Sequence, residues 1–113
     1  MLTIYHNPRC KKSRAGLAFL QDHDLEHRVR LYLKDALSKE ELRRLLNKTE
    51  LQADQLVRKQ EEKYRKELKG KEFTEDQWLE ILAENPKLLQ RPIVEDEHIA
   101  VLGDPVENLQ RFQ

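Results

Sequence analysis

The first part of the chain alternates between short apolar runs and polar breaks. Residues 2–5 form a run of strand-forming side chains, which Asn7 and Pro8 interrupt. From residue 11 to about residue 21 the apolar positions recur at helical spacing. The pattern predicts a strand, a tight loop and then a helix.

Residues 28–33 show the period of two that is typical of a half-exposed strand. Val29, Leu31 and Leu33 fall on one side of this segment, with polar or aromatic residues on the other. A strand, a helix and a second strand at these lengths predict a βαβ unit.

The middle of the chain is dominated by helical patterns. Residues 38–41 (SKEE) and 74–77 (TEDQ) match the capping box, so a helix is predicted to start at each. Residues 53–68 mix apolar with charged side chains and predict a third helix between them. Asn85 and Pro86 are typical of a cap followed by a short helical turn.

The last part of the chain returns to strands. Residues 92–95 and 98–102 predict a β-hairpin closed by a short acidic turn. Apolar residues at intervals of three over 106–112 predict a final helix. The order βαβ, helical insert, ββα predicts an α/β protein with a mixed four-stranded sheet, in a single domain over residues 1–113.

Composition narrows the class of protein. Twenty-one basic residues balance twenty-one acidic ones, so no net charge draws the chain towards nucleic acid or an anionic membrane. No apolar run reaches the length of a signal core or a membrane span. These features predict a cytoplasmic protein that binds neither nucleic acid nor membrane.

Cys10 is the only cysteine, so an internal disulfide is excluded. A cysteine reacts as its thiolate, and the pKa of a free thiol is about 8.5. Cys10 lies where a loop enters a helix, and Arg9, Lys11, Lys12 and Arg14 surround it with positive charge. Both features favour a reactive thiolate. The alternative is a cysteine that only packs, because free cysteine is among the most buried residue types.

Two segments resemble the signatures of a known family. Residues 4–14 (IYHNPRCKKSR) resemble the active-site loop of the glutaredoxin-linked arsenate reductase (ArsC) family. Residues 91–94 (RPIV), about eighty residues later, resemble its second signature. The resemblance covers nearly the whole chain and implies a thioredoxin-like fold.

The resemblance also implies a reaction. Cys10 would attack arsenate, or a similar oxyanion, to form a covalent thiol-arsenate adduct, which glutathione and then glutaredoxin reduce to arsenite. No bound cofactor is implied, since glutathione is a co-substrate. A thiolate at a helix N-terminus suits such chemistry, because it is a nucleophile at a position that attracts anions.

Several residues match positions with roles in this family. His6 and Ser13 correspond to positions that help to hold Cys10 as a thiolate, an effect to which the charge of Arg14 adds. A simpler interpretation is that His6 is a polar residue at the end of a strand.

Three arginines are candidates for binding the oxyanion. Arg58 and Arg91 match family positions, and a guanidinium fork suits a tetrahedral oxyanion. Without such a role, Arg58 would be a solvated helix residue. Arg91 would either cover the hairpin or, with a cis Arg91–Pro92 bond, press against the cysteine loop. Asp104 stands where the family has a third arginine, and its carboxylate would repel arsenate. Arg9 is a candidate to compensate.

Three alternatives stay open. The first is a redox-regulatory protein of the Spx type that contacts RNA polymerase, since residues 107–112 (ENLQRF) are similar to such regulators. The Cys-x-x-Cys switch that such proteins often use is absent, because residue 13 is serine. The second is a single-cysteine, glutathione-linked thiol oxidoreductase. The third is a metal site at His23 and His27, or at His6 with Cys10, although both pairs lack further ligands.

Overall fold

Four strands form one mixed sheet in a computed structural model that describes residues 1–113. They are β1 (Leu2–Tyr5), β2 (His27–Arg30), β3 (Ile93–Glu95) and β4 (Ala100–Leu102), in the order β2-β1-β3-β4. Strands β1 and β2 are parallel, whereas β3 pairs antiparallel with β1 and with β4. The predicted mixed four-stranded α/β architecture is confirmed.

The chain divides into two compact units. The first consists of Met1–Asp35 with Arg91–Gln113, and it contains the sheet, helix α1 (Lys11–Asp22) and a 3-10 helix at Val106–Phe112. Helix α1 connects the parallel strands β1 and β2, as the βαβ prediction required. The prediction of a single domain over residues 1–113 stays a prediction.

A small apolar core holds the first unit together. It packs side chains of the sheet against one side of α1 and the C-terminal 3-10 helix, with Leu2, Ile4, Leu20, Val94, Val101 and Leu109 all buried. Burying a side chain of this size contributes about 1.5–3 kcal/mol to stability. The core therefore fixes α1, and with it the residues at its N-terminus, against the sheet.

The second unit, Ala36–Gln90, is helical. It contains α2 (Lys39–Lys48) and α3 (Glu75–Glu84), with 3-10 helices at Ala53–Leu56 and Pro86–Leu88 and a π-helical turn at Tyr64–Leu68. Both predicted capping boxes are present: the N-cap side chains of Ser38 and Thr74 accept hydrogen bonds from the backbone three residues later.

The predicted third helix over residues 53–68 is wrong. Only its two ends are helical, and Val57 between them is extended and bridges Leu89. The backbone N–H of Arg58 donates to the Leu88 carbonyl over 2.6 Å, and that of Gln90 donates to the Leu56 carbonyl over 2.8 Å. The helix predicted from the apolar spacing does not form across this segment, because pairing with a distant part of the chain buries Leu56 and Val57 completely.

The predicted strand over residues 28–33 is also shorter than expected. It ends at Arg30, and a turn follows in which the backbone N–H of Lys34 donates to the Leu31 carbonyl. Leu31 and Leu33 are exposed, whereas Tyr32 between them is fully buried. The apolar side of the alternating pattern therefore faces outward on this edge of the sheet.

The remaining predictions in the last part of the chain agree with the structure, with one change of helix type. The hairpin of β3 and β4 is present, and the final helix is a 3-10 helix. The Arg91–Pro92 bond is cis, and so is Asp104–Pro105. None of the helices has the length and apolar character needed to cross a membrane.

Candidate active site around Cys10

Cys10 is the N-cap residue of α1. Its backbone is extended, with φ −95° and ψ 124°, and its carbonyl accepts the hydrogen bond of the Arg14 N–H over 3.0 Å. The Cys10 N–H donates to the Asn7 carbonyl over 3.0 Å, which closes a tight turn after β1. The thiol is only partly buried, so it is accessible and still close to the free amides of the first helical turn.

A buried polar network lies beneath this turn. His6, Asn7 and Ser13 are at most 7% exposed, and Ser13 is completely buried. Ser13 Oγ lies 2.6 Å from His6 Nδ1 and accepts a hydrogen bond from the Asn7 N–H over 2.9 Å. Buried polar groups cost stability unless they are paired, so these bonds fix the loop to the first turn of α1.

His6 is a neutral member of this network at pH 7. Burial lowers the pKa of the imidazole, and the positive charge of Arg14 lowers it further, against an opposing hydrogen bond to the backbone of Ser13. His6 therefore adds no second cation beside Cys10. His6 acts on Cys10 indirectly, by helping to position Ser13.

The Cys10 thiolate has several stabilising partners. Partial burial alone raises the pKa of the thiol, but the hydrogen bond from Arg91, the backbone N–H groups of Ser13 and Lys12, and the charge of Arg91 outweigh it. The net effect holds the pKa of Cys10 below its usual range. A larger share of the thiol is therefore ionised near neutral pH.

Pro92 fixes the position of Arg91. A Cβ atom on Gly16 would lie 2.6 Å from Pro92 Cγ, and one on Gly103 would lie 2.8 Å from the same atom. Only glycine lets α1 and the end of β4 approach the proline ring this closely. The residue before Pro92 is therefore held against the N-terminal part of α1.

Other charged side chains around the loop have separate partners. Arg14 donates from its guanidinium to the Pro8 carbonyl over 2.9 Å. Lys12 Nζ forms an ion pair with Asp104 Oδ2 over 2.9 Å, and both side chains are about half exposed. Arg9 is exposed and forms no ion pair. The carboxylate at the position of the third family arginine thus neutralises a lysine beside Cys10.

The structure brings His6, Ser13, Arg14 and Arg91 together around Cys10 within the first unit. Arg58 belongs to the second unit, where its guanidinium forms an ion pair with Glu61 over 3.2 Å and is 18% exposed. The role of Arg58 in binding an oxyanion stays a prediction from the family resemblance.

The histidines that suggested a metal site have other partners. His23 Nδ1 donates to the Phe19 carbonyl over 2.9 Å, and its ring stacks on Phe19. His27 Nδ1 donates to the Leu25 carbonyl over 2.7 Å. No three His, Cys, Asp or Glu side chains are grouped so that they could hold a metal ion.

Sequence reasoning missed two features of the site. Asn7 closes the loop through both its backbone and its side chain, which accepts from the Arg9 N–H over 3.0 Å. The Asn-Pro pair is a turn signal that could have identified this role. The Lys12–Asp104 ion pair joins residues far apart in the chain, and no local pattern marks it.

Known proteins of similar sequence and structure match most of this chain. The ArsC family model matches residues 5–112. An arsenate reductase from Neisseria meningitidis is 35% identical over 111 residues, which cover 96% of this chain and 95% of that protein. The global transcriptional regulator Spx from Listeria innocua is 29% identical over 113 residues, covering 99% and 86%.

A solved structure of an arsenate reductase from Vibrio cholerae is 36% identical to this chain, with a TM-score of 0.93. The superposition covers 99% of this chain and 97% of that chain. The thioredoxin-like fold predicted for the chain is confirmed.

Proposed function

Because the chain belongs to the ArsC family, we propose that it is an arsenate reductase in which Cys10 forms a covalent adduct with arsenate. Glutathione and then glutaredoxin supply the reducing equivalents, and no bound cofactor takes part. The observation that carries the proposal is the stabilised thiolate at the N-terminus of α1, with Arg91 as its hydrogen-bond donor. The names of the relatives from Neisseria and Vibrio add support.

The first step is nucleophilic. The Cys10 sulfur attacks arsenic(V) in hydrogen arsenate, an S–As bond forms, and one As–O bond breaks to release water once the thiol proton has been transferred. Arsenic remains in the +5 state. The amides at the start of α1 and the Arg91 guanidinium are suited to stabilise the negative oxygens of the adduct.

The second step is the reduction. The glutathione thiolate attacks the Cys10 sulfur, an S–S bond forms, and the electron pair of the S–As bond goes to arsenic, which leaves as arsenite in the +3 state. Two thiols are oxidised to one disulfide as arsenic gains two electrons. Glutaredoxin then attacks the glutathione sulfur of the mixed disulfide and returns Cys10 to its thiol form.

The test is arsenate-dependent NADPH oxidation, coupled through glutathione, glutathione reductase and glutaredoxin. We expect turnover by the native protein, and none by Cys10→Ser, whose hydroxyl is a much weaker nucleophile. Reactions without arsenate give the background rate. Absence of turnover by the native protein, with Cys10 still open to alkylation, would contradict the proposal.

A second candidate is a regulator of the Spx type, which the similarity to the Listeria protein favours. Asp104 also favours it, because its carboxylate replaces a cation expected in an arsenate site. Specific capture of RNA polymerase subunits by the immobilised chain, without arsenate turnover, would support this candidate. Turnover of a glutathione mixed disulfide without arsenate would instead identify a single-cysteine thiol oxidoreductase.

A further inference from the structure

The second unit contains a cavity that collects all of its aromatic side chains. The cavity has a volume of about 420 Å³, and all its lining residues belong to this unit. Tyr64, Phe73 and Trp78 line it, and the unit has no other phenylalanine, tyrosine or tryptophan. We call it the aromatic cavity. Its volume is within the range of small-molecule sites, which begins at about 300 Å³.

Phe73 and Trp78 form a corner of the aromatic cavity. Phe73 precedes the N-cap Thr74, and Trp78 is the fourth residue of α3, so the two residues occupy the positions of a hydrophobic staple. Their ring centroids are 4.7 Å apart, and the ring planes are inclined by 67°. Tyr64 belongs to the π-helical turn and makes no ring contact with either. Aromatic walls therefore come from two separate segments of the chain.

These rings are not what fills the interior of the second unit. Leucines make up most of that interior, and six of them are at most 3% exposed: Leu42, Leu45, Leu46, Leu56, Leu79 and Leu82. Tyr64 and Phe73 are only half-buried. Trp78 is 7% exposed, yet its indole N–H forms no hydrogen bond within the protein. A buried indole N–H usually has a partner, so this donor is available to a ligand.

Two opposite charges on the aromatic cavity have no partner in the protein. Asp54 and Lys59 both line the cavity and pair with each other over 3.3 Å. The carboxylate of Glu75 pairs with an arginine of α2. The side chains of Lys71 and Glu72 also line the cavity, and they form neither an ion pair nor a hydrogen bond. One free cation and one free anion favour a ligand that carries both charges.

We propose that the aromatic cavity binds a betaine, a small zwitterion with a trimethylammonium group and a carboxylate. A quaternary ammonium group has no N–H to donate, and aromatic ring faces attract it. This group lies in the corner of Phe73 and Trp78, with Glu72 as its counter-charge. The ligand carboxylate pairs with Lys71 and accepts the indole N–H of Trp78. The site is independent of the proposed function, since it shares no residue with the Cys10 site.

The fluorescence of Trp78 reports binding directly, because it is the only tryptophan in the chain. We expect a saturable change in its emission when γ-butyrobetaine is titrated into the full chain. The carbon isostere, in which a tert-butyl group replaces the trimethylammonium group, should bind about tenfold more weakly, because it has no positive charge for the rings. Choline, a cation without the carboxylate, should bind about two- to fivefold more weakly.

Phe73→Leu tests the aromatic corner. It removes one ring but keeps an apolar side chain for the staple, so α3 should still form. We expect γ-butyrobetaine to bind about three- to tenfold more weakly, and the carbon isostere to bind as it does to the native protein. Phe19→Leu makes the same change in the first unit and should leave both affinities unchanged.

Lys71→Gln tests the recognition of the carboxylate. It should weaken the binding of γ-butyrobetaine about two- to fivefold without weakening that of choline. Lys69→Gln removes an exposed cation that does not line the cavity, so it should leave both unchanged. Circular dichroism checks that each variant folds.

Three results would overturn the proposal. The first is the absence of a saturable change with γ-butyrobetaine in the native protein. The second is equal binding of γ-butyrobetaine and its carbon isostere, which would identify an apolar cavity without a preference for cations. The third is equal weakening by Lys71→Gln and Lys69→Gln. None of these results depends on arsenate turnover, so the proposed function stands or fails separately.

Discussion

Ser13 Oγ lies 2.6 Å from His6 Nδ1, and this contact joins the end of β1 to the first turn of α1 across the Cys10 loop. The same oxygen accepts the Asn7 N–H, so one buried hydroxyl satisfies two partners. Cys10 is therefore held by groups on both sides of it along the chain. The position of Cys10 therefore depends on Ser13, a completely buried residue three positions further along the chain.

Ser13→Ala tests this dependence. It leaves the Asn7 N–H and His6 Nδ1 without their partner in a buried site, so we expect a loss of about 1–3 kcal/mol in the free energy of unfolding. The loosened turn should also slow alkylation of Cys10 at pH 7. Urea unfolding and the rate of reaction with iodoacetamide measure the two effects.

Ser38→Ala provides the comparison. It removes the N-cap of α2 in the other unit and should cost about 1 kcal/mol, while Cys10 reacts at the native rate. If Ser13→Ala also left alkylation unchanged, the proposed link between the network and the thiolate would be wrong.

Arg91→Met should raise the pKa of Cys10, because it removes both a hydrogen bond to the thiolate and a nearby positive charge. The midpoint of the pH profile for alkylation should move to higher pH. Arg91→Lys keeps the charge without the guanidinium fork, so its midpoint should lie between the two. Arg111→Met, at an exposed arginine, should follow the native profile.

His6 should make stability depend on pH. Its pKa in the folded state is below the ordinary value of 6.5, so the unfolded chain binds more protons as the pH falls below about 6.5. The free energy of unfolding should therefore decrease from pH 7.5 to pH 5.5, and the decrease should be smaller in His6→Asn. Urea unfolding across this range measures both slopes. Equal slopes in the native protein and His6→Asn would contradict the prediction.

Asp104→Asn should improve use of arsenate under the proposed function. It releases Lys12 from an exposed ion pair and removes a carboxylate near the start of α1, so the KM for arsenate should fall about two- to fivefold. Asp104→Arg, which restores the family's residue, should lower it further. Glu107→Gln removes an exposed carboxylate elsewhere and should not change the KM. If the KM for arsenate stayed the same in both Asp104 variants, the Lys12–Asp104 ion pair would have no effect on arsenate binding.

Local patterns predicted the parts of the molecule that depend on local interactions. The capping boxes at Ser38 and Thr74, and the strand-loop-helix around Cys10, are determined by residues within a few positions of one another. Val57 was predicted wrongly because its partner, Leu89, is distant in sequence. The alternating pattern predicted a strand that includes Leu31 and Leu33, but a turn after Arg30 ends β2 before them. The closeness of Leu31 and Leu33 to the loop before Cys10 could not be predicted, since it needs both the turn and the loop.

Pro92 has consequences for how this sequence can change over generations. Its ring occupies the space that a side chain at position 16 or 103 would need. Alanine at either position would force the ring to move, and Arg91 with it, so neither replacement is neutral while the proline remains. The three positions are therefore expected to be inherited together, and a homologue that has lost the proline is where a larger residue at 16 or 103 should first be found.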